Sequence, residues 1–383
     1  MAIQKLTIEE FLKLAKEHPV LDVRSPGEYS HAHIPGAHSL PLFTDEERKV
    51  VGTAYKQQSR EAAIKTGLDY FGVKMKKMVE EAEKIVCSLK FVVENTPLQE
   101  PLTTNPKPQT SNTVLVHCWR GGMRSAGVAW LLDLYGFKVY TLVGGYKAYR
   151  KWVLAQFEKE YNFKIIGGYT GSGKTLVVHE LIKQNKTVID LEDLANHKGS
   201  AFGAIKDKPQ PMQEMFENSL AKALVDVRGS LTGENDPSKP NDQRSTAIYL
   251  EDESQRIGNL QIPMPLWYTM RRSPVIFLDI PFKERLDYIT EEYGKMGKEQ
   301  VAEAILRIQK RLGGLETKNA LCYLEEGKLK DCFGILLHYY DKWYSKGLNN
   351  RENLASLLNK IPCKGVDTKT NVQKLLSCKT VSA

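Results

Sequence analysis

The chain has 383 residues, more than one domain usually contains, so we expect two or three domains. Apolar residues make up 42% of the chain and charged residues 26%, which is typical of a soluble globular protein. The net charge of +8 is compatible with binding to a polyanion, and the absence of any run of about twenty apolar residues excludes a membrane helix.

The opening stretch, "MAIQKLTIEEFLKLAKEHPV", is charged throughout and lacks the apolar core of a signal peptide. Thr7 and Glu10 instead fit the capping box of an amphipathic helix. The six cysteines form no CxxC pair, which indicates neither a zinc ribbon nor a thioredoxin motif. Scattered cysteines without a secretory signal are typical of a reducing compartment, so we expect a cytoplasmic protein with no membrane association.

The first part of the chain alternates strand-like and helix-like segments, which predicts an α/β domain over residues 1–155. A helix is predicted from Ser125 to Tyr135. A mostly helical insertion is expected at about 44–112, ending in a loop rich in Pro, Thr and Asn at 94–112. The strand-like apolar runs are Val20–Val23, Val114–Val116 and Val139–Val143.

A second α/β domain is predicted over residues 156–290, followed by a helical C-terminal region over 291–383 whose last residues are polar and weakly patterned. Three strand-like runs in the second domain end in acids, which is where open α/β sheets place their ligands. These acids are Asp190, Glu192 and Asp193, then Glu251, Asp252 and Glu253, then Asp279.

Cys118 lies between the strand "TVLVH" and a predicted helix, inside the loop "CWRGGMRS". A loop around a cysteine at a helix N-terminus directs backbone N–H groups at the sulfur, which lowers the thiol pKa. Gly121 and Gly122 allow the backbone angles of such a loop, and Arg120 and Arg124 add positive charge. The pattern predicts a nucleophilic thiol or an oxyanion site; the alternative is a buried structural cysteine.

The stretch "GYTGSGKT" matches GxxxxGK[ST], follows the strand "KIIG" and opens the helix "TLVVHELI", as a true P-loop does. Its backbone and the helix N-terminus bind phosphate oxygens, Lys174 supplies a charge, and Thr175 is a candidate Mg²⁺ ligand. A nucleoside triphosphate or another diphosphate would fit. The predicted diphosphate-binding residues are Gly168, Gly171, Ser172, Gly173, Lys174 and Thr175.

Weaker candidates accompany these two loops. A metal site at His31, His33 and His38 is conceivable, but a hydrogen-bonded turn is the better interpretation because no cysteine or acid pattern completes a ligand set. Polar, glycine-bearing segments supply second-rank site residues, with Asp190, Glu251 and Asp252 as candidate metal partners. The second-rank residues are Asp190, His197, Ser200, Glu251, Asp252 and Arg256, with Gly258 beside them.

The run "LDVRSPGEYSHAHIPGA" with "HCWRGGMRS" resembles the rhodanese domain, over Met1 to about Arg150. With the P-loop, the runs "VIDLEDLANHKGSAFG", "YLEDESQRIG" and "RSPVIFLDIP" resemble the bacterial tRNA 2-selenouridine synthase family over most of the chain. The resemblance implies that Cys118 carries sulfur or selenium and that Asp22 and Arg24 are scaffold. The anion-binding loop it implies comprises Trp119, Arg120, Gly121, Gly122, Met123 and Arg124.

The activity implied by the resemblance is the conversion of wobble 2-thiouridine in tRNA to 2-selenouridine. Its two steps are S-geranylation by geranyl diphosphate and replacement of the S-geranyl group by selenium from selenophosphate. The P-loop would then hold the diphosphate, with Lys174 and Mg²⁺ on Thr175 stabilising the leaving group. A selenophosphate-supplying enzyme would be a partner, and apolar residues near the P-loop should hold the geranyl chain.

Basic and aromatic residues outside these loops are candidates for tRNA contacts, because aromatic side chains stack on unpaired bases. Each of them has a simpler interpretation as a solvated surface or core residue. The basic candidates are Lys74, Lys76, Lys77, Arg271, Arg272, Arg307, Lys310 and Arg311. The aromatic candidates are Trp267, Tyr268, Tyr339, Tyr340, Trp343 and Tyr344.

Two other functions fit the same motifs. One is an ATP-dependent small-molecule kinase fused to a sulfurtransferase. The other is a nucleotide-sensing adaptor whose rhodanese domain only binds anions, against which an intact Cys118 argues.

Overall fold

The computed structural model describes residues 3–94, 112–197, 209–232 and 247–378. Most of the predicted loop at 94–112 and the candidate Ser200 lie outside these ranges. The chain forms two compact units, Met1–Ala155 and Gln156–Ala383.

The first unit is built on a parallel sheet in the order β1-β5-β4-β2-β3. All five residues of β4 are buried, as expected for the central strand of a sheet covered by helices on both faces. The strands are β1 (Gln4–Leu6), β2 (Val20–Asp22), β3 (His38–Ser39), β4 (Thr113–His117) and β5 (Lys138–Leu142).

Helices surround this sheet, and three of them form the insertion between β3 and β4. The predicted capping box is present, with the Thr7 and Glu10 side chains each bonded to the other residue's backbone N–H. The helices are α1 (Ile8–Leu14), α2 (Pro26–His31), α3 (Asp45–Gln57), α4 (Arg60–Gly72), α5 (Met75–Glu94), α6 (Met123–Tyr135) and α7 (Gly145–Gln156).

The second unit contains a parallel four-stranded sheet in the order β11-β10-β6-β7 and a small antiparallel hairpin. Because β6 is an inner strand of the larger sheet, the loop that follows it lies at the carboxyl edge, where α/β sheets bind ligands. The strands are β6 (Phe163–Gly167), β7 (Ile248–Glu251), β8 (Arg256–Ile257), β9 (Leu260–Gln261), β10 (Val275–Asp279) and β11 (Leu358–Pro362).

The predicted helical C-terminal part is confirmed. Ile289, Ile305, Phe333 and Leu337 belong to the apolar core that its helices share. The helices of the second unit are α8 (Lys174–Lys183), α9 (Leu191–Leu194), α10 (Gln213–Thr232), α11 (Met264–Arg272), α12 (Phe282–Tyr293), α13 (Lys298–Leu312), α14 (Gly314–Glu325), α15 (Leu329–Asn349), α16 (Leu354–Leu357) and α17 (Thr368–Ser377).

Two local expectations were wrong. The run before Asp190 is no full strand: Val188 forms an isolated bridge to Tyr249, and Asp190 caps α9. The weakly patterned tail, for which the sequence predicts fraying, instead belongs to the fold over its described part, since β11 pairs with β10 and α17 packs on α8. Val372 and Leu375 are buried there. The tail has few such apolar positions, and they stand among polar neighbours, so the sequence pattern is weak. Of the helices in the described ranges, none is both long and apolar enough to span a bilayer.

Candidate functional site

The cysteine loop connects β4 to α6 and is held against the start of α7. The backbone N–H of Tyr146 donates to the Cys118 carbonyl at 2.8 Å. Gly121 has φ = 65°, and a Cβ atom there would lie 2.5 Å from the Leu142 carbonyl oxygen. A Cβ on Gly145, which has φ = 59°, would lie 2.3 Å from the Cys118 oxygen, so both positions require glycine. This close backbone packing fixes the loop around the thiol.

Cys118 is buried, with its Sγ 3.3 Å from the Ser125 Oγ in the first turn of α6. Burial disfavours the thiolate. It is outweighed by hydrogen bonds from the Ser125 side chain, the Ser125 backbone and the Arg120 backbone, and by the charge of Arg124. Together these contacts hold the pKa of Cys118 below its ordinary value of 9.0. The loop is therefore suited to a nucleophilic thiolate.

The other predicted residues of this loop differ in their roles. Arg124 is half-buried and donates to Glu28 Oε2 at 2.8 Å, whereas Arg120 and Met123 are exposed. Trp119 packs beside Tyr146, with ring centroids 5.7 Å apart. Gly122 is the N-cap residue of α6. The loop thus offers a cationic, partly open surface above the thiol.

Asp22 and Arg24 lie below the loop as fully buried scaffold. Arg24 donates to both Asp22 oxygens and to the Ala32 carbonyl, and its guanidinium lies 3.8 Å from the centroid of Tyr146. This ion pair fixes the end of β2 beside the strand that carries the cysteine.

The three upstream histidines lie in different elements: His31 ends α2, His38 begins β3, and His33 lies between them. His33 Nδ1 lies 2.9 Å from the Tyr29 carbonyl oxygen, and the His33 ring stacks on the Tyr29 ring at 4.0 Å. Within the described residues, the one group of three metal-type ligands is elsewhere, at Glu192, Glu251 and Glu253.

The P-loop connects β6 to α8. Gly168, Gly171 and Gly173 all have positive φ, and α8 begins at Lys174, which places the N–H groups of the first helical turn at the loop. Lys174 Nζ donates to the Gly168 carbonyl at 2.9 Å, closing the loop on itself. The Ser172 hydroxyl is buried and bonds to no described residue. This arrangement binds the oxygens of a phosphate or diphosphate.

Three carboxylates lie beside the P-loop. One oxygen from each of Glu192, Glu251 and Glu253 lies within 4.8 Å of the others, and Thr175 Oγ1 donates to Glu192 at 3.2 Å. Burial, followed by the charge of Glu192, raises the pKa of Glu251 to about 8. The pKa of Glu253 is raised well above its ordinary value for the same reasons. Glu251 Oε1 is buried and bonds to no described residue, so the cluster suits a hard divalent cation.

Asp252 is engaged in a different way from its two neighbours. It accepts a hydrogen bond of 2.6 Å from Tyr344 and pairs with the buried Arg351. The position predicted as a metal partner is therefore a structural link between β7 and the C-terminal helices.

A cavity of about 590 Å³ opens from the P-loop. The phosphate-binding loop and the carboxylates line it, together with Arg271 and Arg311. Aromatic and apolar side chains complete the lining, and two of them, Ile289 and Tyr344, lie directly against the P-loop glycines. These side chains are Tyr288, Ile289, Tyr339, Tyr340, Trp343 and Tyr344.

The remaining second-rank residues are spread around this site. Asp190 accepts from the Asp193 N–H and lies 3.3 Å from His179, which lines the cavity. His197 packs against Gly258 and its backbone N–H donates to the Glu192 carbonyl at 3.0 Å, although His197 itself does not line the cavity. Arg256 is exposed on β8. Ser200 lies outside the described residues.

Comparison with known proteins decides the family. Residues 161–360 match the model of the tRNA 2-selenouridine synthase AAA domain, and residues 7–151 match the rhodanese-like domain. The tRNA 2-selenouridine synthase of Bdellovibrio bacteriovorus is 31% identical, with 92% of this chain and 94% of that protein covered.

The chain belongs to the tRNA 2-selenouridine synthase family.

Other members are similar over most of their length. The synthase of Sulfurovum sp. is 34% identical over 82% of this chain and 80% of its own. The synthase of Shewanella pealeana is 32% identical over 92% of this chain and 94% of its own. The resemblance predicted from the sequence is confirmed, and the chain is an enzyme of this family with the expected α/β architecture.

Several residues of the site were not selected from the sequence. Glu192 and Glu253 were recognised as strand-end acids, yet only the folded chain shows that they meet Glu251. Arg285 donates to the Thr170 carbonyl at 2.9 Å and forms a two-point pair with Asp341, which fixes the P-loop from α12. No local motif in the sequence marks that arginine.

Proposed function

We propose that this enzyme converts 2-thiouridine at a tRNA wobble position into 2-selenouridine in two steps. The P-loop unit S-geranylates the thiouridine with geranyl diphosphate, and the cysteine unit exchanges the S-geranyl group for selenium from selenophosphate. The relatives' shared name supports the tRNA substrate and the final product. The geometry of each unit supports the division of labour between the two loops.

The observation that carries this proposal is the mixed lining of the cavity at the P-loop. Phosphate-binding groups line it together with Ile289, Tyr339 and Trp343. A diphosphate attached to an apolar chain matches this combination, because the chain gains free energy by leaving water.

The alkylation step needs a stabilised leaving group. The thiocarbonyl sulfur attacks C1 of geranyl diphosphate, the S–C1 bond forms, the C1–O bond breaks, and diphosphate leaves. The N3 proton of the base is released, which restores a neutral product. Lys174 and the N–H groups at the start of α8 would hold the charge that develops on the diphosphate.

Mg²⁺ fits the carboxylate cluster. Thr175 and Glu192 are already hydrogen-bonded, and the orphaned Glu251 oxygen offers a further ligand. A bound Mg²⁺ would stabilise the charged form of Glu251, whose pKa is raised first by burial and then by the charge of Glu192, and would offset charge on the diphosphate.

The exchange step would use the cysteine loop. Its cationic surface and the N-terminus of α6 suit the oxyanion of selenophosphate, and Cys118, whose pKa is lowered, would position selenophosphate beside C2 of the base. A selenophosphate-supplying enzyme would then be a partner that delivers to this loop.

The tRNA contacts follow from exposure and charge. Arg271 and Arg311 line the P-loop cavity and are the best-placed cations for phosphates near the wobble base. Tyr339 and Trp343 line the same cavity, where a base could stack on them, whereas Tyr344 is held by Asp252. Lys74 is paired with Glu47, and Lys76 and Lys77 lie near acids one turn away on α5, so these lysines are weaker candidates.

A reconstituted reaction tests the proposal. The full chain is incubated with tRNA carrying wobble 2-thiouridine, geranyl diphosphate and Mg²⁺, and the digested nucleosides are analysed by mass spectrometry. We expect S-geranyl-2-thiouridine without selenophosphate and 2-selenouridine with it. If neither nucleoside forms, the proposal is wrong.

A thermal-shift titration separates the proposal from an ATP-dependent kinase. We expect geranyl diphosphate to raise the melting temperature more than ATP does at equal concentration. Strong stabilisation by ATP accompanied by phosphoryl transfer would instead support the kinase.

A further inference from the structure

A second large cavity lies in the first unit. It measures about 1110 Å³ and is a groove between the insertion helices α3 and α4 and the start of α5, on one side, and α6 on the other. Its lining is mainly apolar, with Val51, Ile64, Leu68, Phe71, Met75 and Trp130 as principal contributors.

The apolar side chains of this groove are unusually accessible. Leu68 is 59% exposed, and Met123 and Trp130 are each 51% exposed. Large apolar side chains clustered at a concave surface mark a binding site more often than scattered single ones do.

The groove reaches the cysteine loop. Met123 and Arg124, the first two residues of α6, also line the groove, and the next residue, Ser125, bonds to the thiol of Cys118. An apolar ligand in the groove would therefore have one end beside the selenium-handling thiol.

The charged lining residues of the groove comprise four bases and one acid, Asp45, whose carboxylate accepts from the Gly27 N–H. Arg48 and Arg124 both pair with Glu28, at 2.9 and 2.8 Å, so the basic border of the groove is formed chiefly by the exposed Lys49 and Lys56. A ligand with an apolar chain and an anionic attachment, such as an alkylated RNA, complements apolar walls with basic borders. The bases are Arg48, Lys49, Lys56 and Arg124.

We propose that this groove binds the geranyl chain of S-geranyl-2-thiouridine during the exchange step. The inference rests on the proposed function and adds a second alkyl-binding site, separate from the P-loop cavity that binds geranyl diphosphate. Burying the geranyl chain here orients C2 of the base toward the cysteine loop. It also keeps the geranylthiol that leaves during the exchange out of water.

The exchange balances without an oxidant or reductant. A selenium–C2 bond forms, the C2–S bond breaks with its electron pair going to sulfur, and geranylthiolate leaves and takes up a proton. Water then cleaves the selenium–phosphorus bond, giving phosphate and 2-selenouridine. The groove binds the part of the substrate that becomes the leaving group, so it discriminates geranylated from unmodified thiouridine.

The test starts from a synthetic anticodon stem–loop that already carries S-geranyl-2-thiouridine. The full chain and selenophosphate are added, and the rate of 2-selenouridine formation is measured by mass spectrometry. Leu68→Arg should lower this rate about tenfold or more, because it places a charge among the apolar carbons that hold the chain. Val73→Arg is the matched control, since Val73 is 83% exposed at the end of α4 and does not line the groove.

The outcomes are distinguishable. Geranylation of 2-thiouridine by Leu68→Arg should equal that of the unaltered protein. If the unaltered protein fails to selenate the geranylated stem–loop, the proposed function is wrong. If it succeeds and Leu68→Arg is as fast, the groove has no such role. The milder Leu68→Ala should give a smaller loss in the same direction if Leu68→Arg is unstable.

A photo-crosslink locates the chain directly. A stem–loop bearing a diazirine on the geranyl group should label peptides from Asp45–Gln57, Arg60–Gly72 or Met123–Tyr135. Label found only in α12–α15 would overturn the inference. Leu68→Arg could instead weaken the binding of a stem–loop without the alkyl group as much as that of the geranylated one. The groove would then be an RNA-binding surface, and the inference would also be overturned.

Discussion

The hydroxyl group of Tyr344 donates a hydrogen bond of 2.6 Å to Oδ2 of Asp252. The same hydroxyl accepts the backbone N–H of Gly168, the first P-loop glycine, at 3.1 Å. One half-buried phenol on α15 therefore connects the helical C-terminal part to the phosphate-binding loop and to the residue after β7.

Replacing Tyr344 with Phe should loosen this connection. It leaves the Gly168 N–H and one Asp252 oxygen without their partner, which costs about 1–3 kcal/mol of unfolding free energy. We expect a higher KM for geranyl diphosphate and an unchanged rate of selenation of ready-made geranylated stem–loop. Urea unfolding measures the loss of stability, and steady-state kinetics measure KM and the selenation rate. Tyr268→Phe, at a half-exposed tyrosine, is the control. An unchanged KM would contradict the role assigned to Tyr344.

Replacing Ser125 with Ala should raise the pKa of Cys118. The substitution removes the hydroxyl contact at 3.3 Å that favours the thiolate, while burial and its opposing effect remain. The pH at which iodoacetamide reacts half-maximally with Cys118 should shift upward, as followed by peptide mass spectrometry. The exposed Cys87 serves as an internal reference. A downward or absent shift would show that Ser125 does not stabilise the thiolate.

The carboxylate cluster predicts a pH-dependent stability. The pKa of Glu251 is about 8 in the folded chain, above its ordinary value of 4.5, so the folded state binds more protons than the unfolded state between those values. The free energy of unfolding should therefore fall as pH rises from about 4.5 to about 8.

Two interventions should reduce that fall. Glu251→Gln removes the titrating group. Mg²⁺ offsets the repulsion among the carboxylates of the cluster, which is greatest when they are ionised. Mg²⁺ should therefore raise the melting temperature more at pH 8 than at pH 5. Each kcal/mol regained corresponds to roughly 2–4 °C. Melting curves with and without Mg²⁺ at both pH values test this. Equal effects of Mg²⁺ at the two pH values would place the cation elsewhere.

The sequence was most informative where the chemistry is local. The P-loop and the cysteine loop each lie within a few consecutive residues between a strand and a helix, so strand, turn and helix signals predict both. The fold class follows from the same alternation of elements.

Contacts between distant residues were not predictable in this way. Tyr344 and Gly168 are 176 positions apart, and the sequence marks Tyr344 only as one aromatic among several on α15. The cluster of Glu192 with Glu251 and Glu253 depends on how the turn into α9 meets the end of β7. The groove at Leu68 likewise exists only because the insertion helices pack beside α6.

The most direct test of the two-loop account compares Lys174→Ala and Cys118→Ala in the full reaction. Nucleosides are quantified after incubation with thiolated tRNA, geranyl diphosphate and selenophosphate. Lys174→Ala should form little S-geranyl-2-thiouridine, yet should selenate a geranylated stem–loop. Cys118→Ala should accumulate S-geranyl-2-thiouridine and form no 2-selenouridine. Equal loss of both steps in either variant would contradict the division of labour between the two loops.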